Sequence, residues 1–163
     1  MATGVQYWLM KTEPTSYSIQ HLAREPKKTT HWDGVRNYQA RNFMRAMKVG
    51  DRVLFYHSGA KPPAVAGTAK VVREAYPDFT ALDSREHHYD PKATHENPIW
   101  EMVDLKLDEV FAEPVPLPTL KDTPALKGME LLRRGSRLSV QPVSKKHFET
   151  VLNLAAKLAS DGR

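Results

Sequence analysis

Residues 32–45 read WDGVRNYQARNFMR, with His31 directly in front. An indole, a carboxylate, a glycine, an arginine and an asparagine stand side by side, and the chain then turns helical. Ala40, Phe43, Met44 and Met47 fall at i, i+3, i+4 and i+7, so the predicted helix has one apolar face. Asn37 is its expected N-cap, because an asparagine side-chain oxygen accepts from the free N–H groups of a first turn. Arg36, Arg41, Arg45 and Lys48 leave a basic outer side. An aromatic ring thus stands just before a helix N-terminus, which favours negative charge. That setting suits a flat ring joined to a phosphate.

Upstream, Tyr7 to Lys11 (YWLMK) reads as a buried strand. Pro14 ends it by removing a donor and holding Glu13 extended. Tyr17 to Arg24 predicts a short helix with Ile19, Leu22 and Ala23 inward, Ser16 or Ser18 as cap, and Pro26 closing it. Downstream, Gly50-Asp51 turns the chain into Arg52–His57, a strand by its β-branched and aromatic content. After the loop 58–63, Ala64 to Ala75 predicts its antiparallel partner, with Gly67 marking a bulge or a close backbone approach. Tyr76 to Pro98 is polar and broken by Pro77, Pro91 and Pro98, which predicts a long surface excursion with one short strand near Phe79–Leu82.

Ile99 to Phe111 alternates apolar and polar at Val103–Leu107, the mark of a half-buried strand, and Pro114, Pro116 and Pro118 are expected to end it. Thr119 to Ala125 predicts one or two helical turns, and Gly128 to Arg134 a short helix stopped by Gly135. Arg137 to Pro142 reads as a strand that Pro142 keeps from being central. Ser144 caps a last helix whose apolar face is Phe148, Val151, Leu152, Leu154, Ala155 and Leu158, followed by a fraying tail at 160–163. Five or six strands with three or four helices contain too few βαβ alternations for a doubly wound sheet. The order predicts one α+β domain over residues 1–163, a small mixed β-barrel with helices packed against it.

The chain has 163 residues, 24 Lys+Arg against 19 Asp+Glu, and a formal charge of +5. This excess favours an anionic partner, though weakly, since the cations are spread along the chain. Cysteine is absent, which removes disulfides, thiol catalysis and Cys-zinc sites together. The first residues (MATGVQYW) lack a signal-peptide pattern, and no apolar run approaches the ~18 residues of a membrane span. A soluble, cytoplasmic, monomeric protein with no membrane partner is expected.

Among the tryptophans, Trp8 and Trp100 sit in apolar strand patterns and read as core. Trp32 lies between His31 and Asp33, which points to a partly open site. Arg36, Arg41 and Arg45 are candidate phosphate contacts, against the plainer reading of a solvated helix face. Asp33, His57, Ser58 and Ser139 hold the letters of a hydrolytic triad, but His57 and Ser58 are adjacent at a strand end, where side chains diverge, and no GxSxG turn is present. His87, His88, Asp90 and His95, with Glu86 and Glu96, match no zinc spacing and read as a His-rich loop. Neither GxxxxGK[ST] nor GxGxxG occurs, and no cofactor is expected.

The blocks YWLMKTEP (7–14), WDGVRNYQARNFMR (32–45), GDRVLFYHS (50–58), AYPD (75–78), YDPK (89–92) and RLSVQPVS (137–144) occur in an order that resembles the EVE domain family, and they reach across nearly the whole chain. The resemblance implies a PUA-like fold, a small mixed barrel with flanking helices. It implies a reader of modified bases in DNA or RNA, for example methylated or hydroxymethylated cytosine, with the base flipped into a pocket and no bond broken. Trp32 is then the stacking ring. The pocket is expected where the blocks converge: Lys11 and Thr12; Trp32, Asp33, Gly34, Val35, Arg36 and Asn37; Phe55, His57 and Ser58; and Arg137, Leu138 and Ser139. Asn37 and Ser58 would offer polar groups to a base edge, Arg137 and Lys11 would meet phosphate or a carbonyl, and Tyr89 would serve as a second aromatic wall or lid. Asn37 cannot fully serve as helix cap and base reader at once. With six residues before Tyr7 there is no basic N-terminal extension for nuclear import, and a bacterial protein is expected.

An RNA-processing or nucleolytic enzyme on the same kind of barrel is the alternative. It needs a general base, and Glu13, Asp33 and His57 are the candidates. A small-ligand or protein-interaction domain is the third reading.

Overall fold

The structure, a computed structural model, describes residues 4–161. In chain order it contains β1 (Tyr7–Thr12), α1 (Ile19–Arg24), β2 (Thr29–His31), α2 (Tyr38–Ala46), β3 (Arg52–His57), β4 (Ala64–Pro77), β5 (Glu101–Pro116), α3 (Leu117–Lys121), β6 (Val140–Val143) and α4 (Lys145–Asp161). The six strands form one mixed sheet in the order β2-β5-β4-β3-β1-β6. β1 runs parallel to β3, with Trp8 opposite Val53, and every other neighbour is antiparallel. The α+β architecture is the expected one. Its sheet is open, however: β2 and β6 are edge strands that do not pair with each other among the described residues.

Period-two alternation divides the core. Trp8, Met10, Val53 and Phe55 point to the face covered by α1 and α2, where Ile19, Leu22, Ala40 and Met44 complete one cluster. Leu9, Leu54 and Tyr56 point to the other face and meet Phe148, Val151 and Ala155 of α4. Phe55 and Phe148 are fully buried, and each such side chain contributes roughly 1.5–3 kcal/mol. The fold therefore rests on an apolar layer at each face of the sheet. Ala81, Ala93 and Trp100 form a third, smaller cluster under the long loop. None of the helices among the described residues is long and apolar enough to cross a membrane.

Several local expectations need correction. Phe79–Ala81 is a 3-10 turn, because the Asp78 side chain caps it by accepting from the Thr80 N–H. Pro114 does not end β5, which continues to Pro116; it falls between the Val110–Gly67 and Val115–Val65 pairs, in a bulge where a missing donor is tolerated. Residues 137–139 lie before β6, and the expected helix at 128–134 is a single 3-10 turn, Glu130–Leu132. Helix α1 starts at Ile19, with Ser18 capping it in a reciprocal pair with His21. Helix α4 runs on through Asp161, while residues 162 and 163 of the expected tail lie outside the described residues. Gly67 is a close approach: a Cβ there would stand 2.1 Å from the Glu109 carbonyl oxygen and 2.4 Å from Ile19 Cδ1.

Candidate nucleic-acid interface

Strand β2 is three residues long, and it exists because β5 offers a free edge. Thr29, Thr30 and His31 pair with Lys106, Leu105 and Asp104, and the Trp32 N–H extends the ladder to the Val103 carbonyl at 2.7 Å. This pairing fixes where the indole enters the protein. Trp32 meets Phe55 edge-on, with centroids 5.4 Å apart and planes at 90°, and meets Tyr17 at 6.4 Å and 85°. It is only 8% exposed, so the open ring expected from its polar neighbours is instead nearly covered. Trp32 still forms part of the wall of a cavity of about 530 Å³. That volume falls within the roughly 300–1,000 Å³ of small-molecule sites.

The cavity gathers Lys11 and Thr12 from the end of β1, Trp32 through Arg36 from the turn before α2, and Ser139 ahead of β6. The Lys11 N–H donates to the Ser139 carbonyl at 2.9 Å, which brings those two segments together. Ser16, Tyr17, Glu25, Thr30, His31 and His88 also line it, and none of these was singled out from the sequence as a site residue. His88 adjoins Tyr89, the residue expected to form the lid; Tyr89 is 41% exposed and is not among the lining residues. Tyr17 follows the YWLMKTEP block, and Thr12 Oγ1 donates to its carbonyl at 2.9 Å. That proximity to the first block was the one signal the sequence held for Tyr17.

The remaining expected residues lie outside this cavity. Phe55 stands behind Trp32 in the core. His57 Nε2 accepts from the Ile19 N–H at 3.1 Å, so that nitrogen holds the start of α1 and is not free to take a proton from a ligand. Burial lowers the His57 pKa, consistent with a neutral ring in that role. The Ser58 N–H donates to the Thr12 carbonyl at 2.9 Å, tying two strand ends together. The Asn37 side chain accepts from the Ala40 N–H at 2.9 Å and caps α2. Asn37 lines a neighbouring depression of about 290 Å³ together with Arg137 and Leu138.

The three arginines expected at phosphate are engaged with the protein. Arg36 donates to Asp78, Thr80 and the carbonyls of Val35 and His88, which spends its guanidinium on pinning the turn to the long loop. Arg41 donates to the Ile99 carbonyl at 2.8 Å and lies over the Tyr38 ring. Arg45 is paired with Glu101. Asp78, with a fully buried carboxylate, holds the other side of the turn and accepts from the Gly34 N–H at 2.8 Å. Burial pushes its pKa up, but hydrogen bonds from Thr80, Gly34 and Arg36 outweigh that and hold it below the usual carboxylate value.

Around the cavity the donors and acceptors are mixed. The Tyr17 hydroxyl donates to Glu25 Oε2 at 2.9 Å, and burial foremost raises its pKa to about 12, so it stays protonated at neutral pH. Asp33 is 3.9 Å from His31 Nε2. Burial lowers the Lys11 pKa, while the Glu130 carboxylate nearby opposes that. Carboxylates of Glu25 and Asp33, the Lys11 ammonium and two aromatic side chains can together receive a flat heterocycle with polar edges.

A mixed sheet of this order, with an aromatic, polar-edged cavity at the β1 and β2 ends, defines an α+β domain with a candidate ligand site. The family model described as the EVE domain matches residues 6–154, and the chain belongs to that family. Thymocyte nuclear protein 1 of Homo sapiens is 45% identical over 168 residues, covering 93% of this chain and 74% of that protein. A crystal structure of the human protein in complex with 5-methylcytosine containing DNA superposes with a TM-score of 0.87 at 44% identity, over 92% of this chain and 97% of that one. A hypothetical protein from Leishmania major gives a TM-score of 0.92 at 50% identity, over 97% and 99% of the two chains. The YTH domain of a Zygosaccharomyces rouxii protein, at 16% identity and a TM-score of 0.55 over 94% and 88% of the two chains, shows the fold alone.

Proposed function

We propose that this protein reads a modified base in nucleic acid, held in the cavity beside Trp32 and Tyr17 after flipping out of its strand, with no bond broken. The observation that carries the reading is that cavity: an aromatic wall with carboxylates and an ammonium around it, set into the α2-side end of the sheet. The human relative solved with 5-methylcytosine DNA supports it, and methylated or hydroxymethylated cytosine is the ligand class to test first.

Magnitudes assign the parts. Extruding a base costs a few kcal/mol. Stacking on an aromatic returns about 1–3 kcal/mol, roughly cancelling that cost. Selectivity then rests on hydrogen bonds at the base edge, each worth about 0.5–1.5 kcal/mol. Asp33 and Glu25 are placed to accept from an exocyclic amino group, and Lys11 to donate to a ring carbonyl. Val35 gives an added methyl group an apolar surface.

The test is titration with matched oligonucleotides, DNA and RNA, single-stranded and duplex, with and without 5-methylcytosine and 5-hydroxymethylcytosine. Tighter binding of at least one modified strand than of its unmodified match is expected. Equal affinity across all pairs would overturn the reading.

A further inference from the structure

We infer that the strand whose base enters the cavity lays its phosphate backbone along a basic track formed by Arg137, Arg133, Lys127 and Lys121. This rests on the base-reading proposal and adds a path for the rest of the polymer. Lys11 and Ser139 line the base cavity. One residue on, Leu138 and Arg137 line the 290 Å³ depression together with Glu130 and Arg133. Glu130 and Arg133 also line a third hollow of about 550 Å³, together with Lys127 and Lys121. Shared lining residues therefore join the second and third hollows, and neighbouring residues join the first to the second.

Charge gives this run its occupant. Four cations face a single carboxylate, and that carboxylate is already occupied: Glu130 accepts from Arg133 and from the Ser136 hydroxyl at 2.6 Å. Ion pairs among the described residues engage Arg133 with Glu130 but include none for Lys121, Lys127 or Arg137, all three of which are exposed. Arg36, in the turn before α2, and Arg41 and Arg45 within it contrast with them, since all three are held by protein acceptors. Unpaired cations lining a groove meet phosphate oxygens at little desolvation cost and carry no sequence information, as backbone contacts do. Met129 and Leu132 also line the third hollow, and the apolar surface they contribute suits a neighbouring nucleotide.

The test is the double variant Lys121→Ala/Lys127→Ala, titrated at several salt concentrations against a single-stranded 12-mer carrying one 5-methylcytosine, its unmodified match, and the free modified nucleoside. Each lost phosphate contact on a single strand lowers the log–log salt slope by about 0.7, so a drop of about 1.4 is expected for both strands. Nucleoside affinity and melting temperature should not change, and neither should the ratio between modified and unmodified strands. An unchanged slope overturns the track while leaving a preserved modified-base preference in place. Loss of that preference in the wild type overturns the base reading instead, and the slope difference still decides the track.

Discussion

The His88 ring lies on Gly34 so closely that a Cβ at position 34 would stand 2.6 Å from its Cε1 atom. Gly34 also has φ of +80°, a conformation that costs other L-residues about 1–2 kcal/mol. The long loop and the turn before α2 thus form one wall of the cavity only because this residue has no side chain. Gly34→Ala is expected to lower the melting temperature by roughly 2–8 °C and to weaken binding of a modified strand. A melt and a titration on the same preparation check both. Wild-type affinity in the variant would show that the His88 wall is not used.

Trp32 requires a gentler substitution than its sequence setting implies. From the polar neighbours alone, Trp32→Ala is expected to weaken binding without unfolding the chain. At 8% exposure, with Phe55 packed edge-on against it, the same change empties core volume and is expected to cost about 3–5 kcal/mol of stability. Trp32→Phe keeps an aromatic ring and most of the packing. It should fold, melt a few degrees lower, and bind a modified oligonucleotide more weakly by up to the stacking contribution, measured by anisotropy with the fold checked by circular dichroism.

What the sequence reveals here is what short-range chemistry decides. The cap at Asn37, the apolar face of α2, the strands β1 and β3 read from their apolar, β-branched and aromatic content, and the constraint at Gly67 all follow from neighbours within a few residues or from one backbone rule. Strand β2 escapes that reading because three residues carry no period, and their conformation comes from the edge of β5 some 75 positions later in the chain. Apart from Val35, the partners of Arg36 lie 42 to 52 residues away, which is why a solvent-facing phosphate contact and an internal staple look alike in one dimension. His88 and Tyr89 differ by one position, and only the folded loop determines which of them faces the cavity.

Asp78 makes acid stability depend on the cavity wall. Its carboxyl has a folded pKa below its ordinary 3.8, so its contribution is fully present above that value and is lost as pH falls through the lower folded one. Asp78→Asn leaves Arg36 without its counter-charge. Arg36 keeps 23% side-chain exposure, so the cost belongs near the low end for a broken buried pair, about 3 kcal/mol at pH 7. Urea midpoints at pH 7 and pH 3 should show the gap between wild type and variant narrowing in acid. A constant gap would mean that the carboxylate charge is not what holds the turn.

His57 sets a second and milder pH limit. Its Nε2 must stay unprotonated to accept from the Ile19 N–H, and burial keeps its folded pKa below the ordinary 6.5. A depressed histidine binds fewer protons folded than unfolded, so stability is complete above 6.5 and declines as pH falls from there toward the folded value. The chain has seven histidines, and the comparison therefore needs a variant. His57→Gln retains an acceptor for the start of α1 but cannot titrate. It should cost about 1 kcal/mol or less at pH 8, in line with a retained cap, and should lose less stability than wild type between pH 7 and pH 5. Parallel slopes for the two proteins across that interval would place the acid sensitivity elsewhere, and would leave His57 as the acceptor for the start of α1 with no titrating role.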